Sequence, residues 1–97
     1  MVLGILTVEL DIEHAMSLKD KRAVLNSVRE RVRKKFNVSI AEIEGHDVWN
    51  YACLGIVIVS NEQKYCNQVL SKVMDLFSEI RDCVVADFAT DFIRAGA

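Results

Sequence analysis

The chain contains no proline, so nothing in it fixes φ or deletes a backbone donor, and helices and strands can run uninterrupted. Cysteine is sparse. Cys53, Cys66 and Cys83 stand 13 and 17 residues apart without a CxxC pair, which argues against a disulfide scaffold or a zinc site and for reduced, structural thiols. Long apolar runs are missing too. The longest, YACLGIVIV at 51–59, is far short of the ~20 residues that cross a bilayer. The opening MVLGILTVELDI carries no basic residues ahead of its apolar ones and is interrupted by Glu9, unlike a secretory signal. These absences predict a soluble cytoplasmic protein with no membrane partner. No charge sign dominates: 12 Lys and Arg face 14 Asp and Glu, a net −2. Attraction for nucleic acid must therefore come from uneven placement of charge.

What is present suits a compact chain. Its 97 residues, 52% hydrophobic and 27% charged, read as one domain over 1–97, able to bury roughly 60–70% of its extended surface. Val2, Gly4, Leu6, Val8, Leu10 and Ile12 alternate with Thr7, Glu9 and Asp11, the period of a strand. Ser17 is a helix cap, with Asp20 three positions on. Leu18, Leu25, Val28, Val32 and Phe36 then form one apolar stripe, which defines a helix, and Asn37 suits a left-handed terminal cap. VSIAEIE (38–44) reads as a second strand, Gly45-His46-Asp47 as a turn, and VWNYACLGIVIVS (48–60) as a third strand. Ser60, with Gln63 three on, opens a second helix whose apolar set is Cys66, Val69, Leu70, Val73, Phe77 and Ile80. VVADFATDFI (84–93) closes as a fourth strand. The order β-α-β-β-α-β predicts an α+β, ferredoxin-like fold. Right-handed crossovers place both helices on one face of a four-stranded antiparallel sheet of order 4-1-3-2.

Three blocks in that order, SLKDKR (17–22), FNVSIAE (36–42) and DVWNYACLGIVIVSN (47–61), resemble the YlxP-like family of small bacterial proteins, over residues 2 to 78 or beyond. The resemblance implies a ferredoxin-like fold and a bacterial cytosolic setting. Members are often encoded beside translation-initiation and ribosome-maturation factors, which implies a connection to RNA or the ribosome. It supplies no catalytic residues.

Charge is distributed unevenly. The stretch 17–37 holds eight of the twelve Lys and Arg residues but only the acids Asp20 and Glu30. At 100° per residue, Lys19, Arg22, Asn26, Arg29 and Arg33 fall in a row away from the apolar stripe, and Arg31 and Lys34 widen it. Ordinary exposed helices pair Glu with Lys four residues apart; this row lacks those partners, and such a row can follow phosphates. The plainer reading of the same row is a solvated helix face. Lys21 falls inside the apolar stripe at the first turn. It either snorkels past the sheet edge or, with Ser17, Lys19 and Arg22, meets an anion at the helix start and sets its register.

The opposite sheet face would carry Thr7, Glu9, Asp11, Asp87 and Asp91, carboxylates that repel a phosphate backbone. The aromatic signature of RNA-recognition sheets is missing. That face also presents Ile5, Val57 and Val59, with Trp49 beside them, a surface suited to a homodimer or ligand-binding module. His14 and His46 fall at one end of the molecule, but no spacing requires a metal, no cleft turns Glu9, Asp11 and Glu13 into an acid–base pair, and no nucleophile or phosphate-loop motif occurs. The sequence thus predicts a non-catalytic protein without metal or cofactor. It would bind RNA or a ribosomal particle through Lys19, Arg22, Arg29 and Arg33, with a sheet-face homodimer as the alternative.

Overall fold

A computed structural model describes residues 1–96. The elements follow as β1 (Val2–Asp11), α1 (Leu18–Lys35), β2 (Ser39–Glu44), β3 (Tyr51–Ser60), α2 (Gln63–Glu79) and β4 (Val84–Arg94). The antiparallel sheet runs β2-β3-β1-β4, the expected order read from its other edge. Strict alternation of buried and half-buried residues along β1 confirms the period-two reading. Val2, Leu6, Val8 and Leu10 face the helices, together with Leu54, Ile56 and Ile58 of β3.

Each helix turns one stripe onto this face. Leu25, Val28 and Val32 are the buried apolar residues of α1, and Cys66, Leu70, Val73, Leu76 and Phe77 are buried on α2. Helix α2 lies over β1, β3 and β4, whereas α1 lies over β2. Gly4 permits the close seat of α2. A Cβ there would stand 3.0 Å from both Cys66 Cβ and Ile58 Cγ2, nearer than packed carbons approach. The three cysteines are buried and free. No described helix is long and apolar enough to cross a membrane.

The helix cap at Ser17 forms, and its oxygen accepts the Asp20 amide at 3.1 Å. Asp20 reaches back past the cap, accepting the Met16 amide at 3.0 Å. Three other local expectations are corrected. Asn37 does not adopt a left-handed cap: α1 ends at an extended Phe36, and no described residue other than glycine has positive φ. The cap of α2 is Glu62 rather than Ser60; Ser60 ends β3 and accepts the Glu62 amide from outside the helix. Strand β3 starts at Tyr51, not Val48, because the Val48 amide closes a turn onto the Gly45 carbonyl at 2.9 Å.

That turn depends on Gly45. Its φ is +82°, and an added Cβ would meet the Tyr51 ring at 2.7 Å. A left-handed backbone costs an L-residue about 1–2 kcal/mol before any clash. Gly45→Ala is therefore expected to lower the unfolding free energy by at least that amount, read as a lower urea midpoint at unchanged m-value.

Candidate nucleic-acid interface

Lys19, Arg22 and Arg33 are exposed along the outer side of α1 and Arg29 is half-buried at its border. The helix positions them because its inward stripe, Leu25, Val28 and Val32, is fully committed to the core. Within ion-pair distance, the carboxylate contacts of α1 cations among the described residues are Lys34 with Glu30 at 3.3 Å and Lys21 with Glu42 at 2.8 Å. Lys34 and Glu30 are both largely solvated, so their attraction is weak. Lys19, Arg22, Arg29, Arg31, Arg33 and Lys35 therefore keep their charge unpaired among the described residues.

Two shallow hollows border this row. One, of about 410 Å³, is lined by Asn26, Arg29, Glu30, Arg33 and Lys34. The second, of equal size, runs from Arg33 and Lys34 past Lys35 to Asn37. Arg33 and Lys34 belong to both, so the hollows adjoin. Arg29 Nε is buried without a hydrogen-bond partner among the described residues. Arg33 gives one long bond, 3.4 Å, to the Ile40 carbonyl on the edge of β2. The row thus continues through Arg33 and Lys34 into a basic C-terminal turn that ends at Lys35. Arg33, Lys34 and Lys35 are consecutive there, a run visible in the sequence but explicable by the helix dipole alone, which favours cations at this end.

Lys21 is a correction. It neither snorkels into solvent nor waits for an anion: the residue is 1% exposed. Its ammonium donates to the carbonyls of Gly45 at 2.6 Å and Val48 at 2.7 Å. Glu42 Oε2 stands 2.8 Å away as a close charge pair outside hydrogen-bond alignment. The first turn of α1 is thereby tied to the β2–β3 connection, and Lys21 has nothing left to offer a phosphate. Ser17 leaves the expected anion seat as well. Its oxygen is engaged as the cap, and the Asp20 carboxylate holds the Met16 amide in front of the helix. An acid already supplies the negative charge the dipole favours at that end.

The opposite sheet face is acidic, as expected. Pairing sets Ile5 beside Val57, Leu3 beside Val59 and Glu9 beside Cys53, while Asp91 and Asp87 flank Ile5 and Glu9 from β4. Trp49 lies in the connection before β3, outside the sheet register, and does not join Ile5, Val57 and Val59. Tyr51 donates to Glu9 Oε1 at 2.6 Å. That bond, then burial, then the negative charge of Glu9 and Glu44 push the phenol well above its ordinary value. Burial, with the Glu44 and Glu9 charges, likewise raises the Cys53 thiol. Since folding keeps the Tyr51 proton on, its stabilising contribution is complete below the unfolded value of 10.0 and is lost as pH climbs beyond it. Tyr51→Phe is expected to flatten the fall of melting temperature with pH in that alkaline window.

The topology, with two helices packed on one face of the sheet, defines a ferredoxin-like α+β protein. Its likeness to solved structures includes the de novo designed protein Foldit4, at TM-score 0.56 and 6% identity over 99% of this chain and 100% of that one. A designed ferredoxin-fold protein, LFR1 1, gives TM-score 0.49 and 13% identity over 100% and 90%. Similarity at these identities concerns the fold alone. Residues 3–90 match the model of a family described as Protein of unknown function (DUF503), and this chain belongs to that family. It is also 42% identical, over 82 residues, to the Uncharacterized protein YlxP of Bacillus subtilis (strain 168), covering 81% of this chain and 89% of that protein.

Proposed function

We propose that this protein binds a phosphate backbone, that of an RNA or a ribosomal particle, through the outer face of α1. Lys19, Arg22, Arg29 and Arg33 carry the contact. The observation behind this reading is the missing neutralisation: no described carboxylate comes within ion-pair distance of Arg22, Arg29 or Arg33. Steps of three or four residues along a helix advance about 4.5–6 Å, close to the spacing of phosphates on one strand. The carboxylates of the opposite sheet face favour the same side of the molecule by repelling nucleic acid from the other.

Anisotropy titration of a labelled RNA hairpin at a series of salt concentrations tests the reading. Four phosphate contacts predict a log–log slope of about −3 to −4. Absence of binding at low salt, or affinity indifferent to salt, overturns it.

A second reading takes the open sheet face as a partner surface, favoured by the exposure of Val59 and Ile93, 58% and 43%, beside Leu3 and Ile5. Val57→Lys, at the centre of that face, then abolishes association measured by light scattering.

A further inference from the structure

The two edges of the sheet are built differently. Strand β2 is six residues long, has a register shift between Glu42 and Glu44, and receives Arg33 on its Ile40 carbonyl. Short length, a bulge and a covering cation are the usual guards of a sheet edge. Strand β4 is eleven residues long and exposed over most of both faces. Its outward backbone can be assigned. The Ile12 amide bonds the Asn50 carbonyl, so even-numbered residues of β1 turn toward β3 and odd-numbered ones toward β4. By the β1–β4 register, Ala89, Asp91 and Ile93 face inward, and the backbones of Phe88, Thr90 and Phe92 point outward. Two of those outward amides are held by the preceding side chain: Phe88 by Asp87 Oδ1 and Phe92 by Asp91 Oδ1, each at 2.9 Å. Phe88 is 54% exposed.

We propose that β4 pairs antiparallel with β4 of a second copy about a two-fold axis at Thr90, joining two sheets into one. The occupant is argued from side-chain complementarity about that centre. Thr90 faces Thr90 of the other copy, Phe88 faces Phe92, Asp91 faces Ala89 and Asp87 faces Ile93. Phenylalanines pair on the helix side, and every carboxylate stands opposite an apolar residue. Centring the axis on Ala89 sets Asp87 against Asp91, and centring it on Asp91 sets that residue against itself. Like charges directly opposite are destabilising, so both registers are disfavoured. An axis at Phe88 runs into the irregularity near Ala86, where the β1–β4 register shifts. In the Thr90 register every outward residue from Phe88 to Phe92 meets another, allowing about six backbone hydrogen bonds. The Asp87 and Asp91 carboxylates release their amides to the partner's carbonyls and return to water. Until then they satisfy the open edge, which discourages unrelated strands. The proposal is independent of the phosphate reading, since α1 lies over the far edge of the sheet.

Sedimentation equilibrium of the whole chain at about 100 μM protomer should give twice the 11.0 kDa mass. Thr90→Pro removes an outward N–H without touching the β1–β4 ladder, and should give 11.0 kDa with an unchanged circular dichroism spectrum. Val57→Lys should leave the dimer intact. If Thr90→Pro proves unfolded, Thr90→Cys decides: a short bis-maleimide should cross-link it to a dimer, since paired Cα atoms stand about 5.5 Å apart, while Val84→Cys should not cross-link. A monomeric wild type, a folded Thr90→Pro dimer, dissociation by Val57→Lys, or failure of Thr90→Cys to cross-link overturns the proposal.

Discussion

Lys21→Ala is expected to destabilise the protein by about 3–5 kcal/mol, the range for breaking a buried ion pair by removing one partner. The loss has three sources. Glu42, whose side chain is 13% exposed, is left without its counter-charge. The Val48 carbonyl loses the Lys21 donor and the Gly45 carbonyl keeps only the Val48 amide, and hydrogen bonds to a charged group contribute about 1.5–3 kcal/mol each. The aliphatic stem, wholly enclosed, leaves a cavity. In thermal unfolding this corresponds to a fall on the order of 20 °C for a domain this size. Replacing the pair together, as Lys21→Met with Glu42→Leu, is expected to restore much of the loss, since well-packed apolar groups often match a buried ion pair. A single-variant loss below about 1 kcal/mol would mean that the pair is effectively solvated and the tie structurally idle.

The second large effect is on binding. Arg22→Glu combined with Arg33→Glu is expected to weaken RNA affinity at low salt by at least about 100-fold and to reduce the salt slope by about 2, one unit for each phosphate contact removed. Both side chains are exposed, and what Arg33→Glu forfeits is a long bond to the Ile40 carbonyl and a dipole-favoured charge of about 0.3–1 kcal/mol, so the melting temperature should fall by only a few degrees while binding is lost. Arg29 makes a poorer reporter because its Nε is enclosed; a carboxylate there would be desolvated, and lost binding would be confounded with lost stability. Affinity equal to wild type in the double variant would remove α1 as the contact surface.

The sequence was most informative where a pattern repeats. Alternation in β1 and the stripes of α1 and α2 rest on many residues each, so the element order and the strand order followed from them. The unpaired cations on α1 were legible for the same reason, since an absence of acids over a whole helix can be counted. Single residues were less readable. Lys21 was recognisably out of place in an apolar stripe, but its destination is two backbone carbonyls in a hairpin 24 and 27 residues away, and carbonyls carry no sequence signal. Trp49 was expected on the sheet because the third strand was read from Val48, yet the turn at Gly45 delays the strand to Tyr51. Ser60 and Asn37 have cap chemistry, but a neighbouring residue occupies each cap position. The outward amides of β4 depend on strand register, which becomes definite only when the partner strand is known.

The Lys21–Glu42 tie also bears on how sequences of this kind diverge. Because a lone charge in that enclosure is penalised from either side, substitution one position at a time must pass through an unstable protein. The two sites should therefore covary among relatives that keep the hairpin docked to the helix, as a cation with an acid or as two apolar groups. A relative holding one member alone would be expected to carry a rearranged loop between its second and third strands.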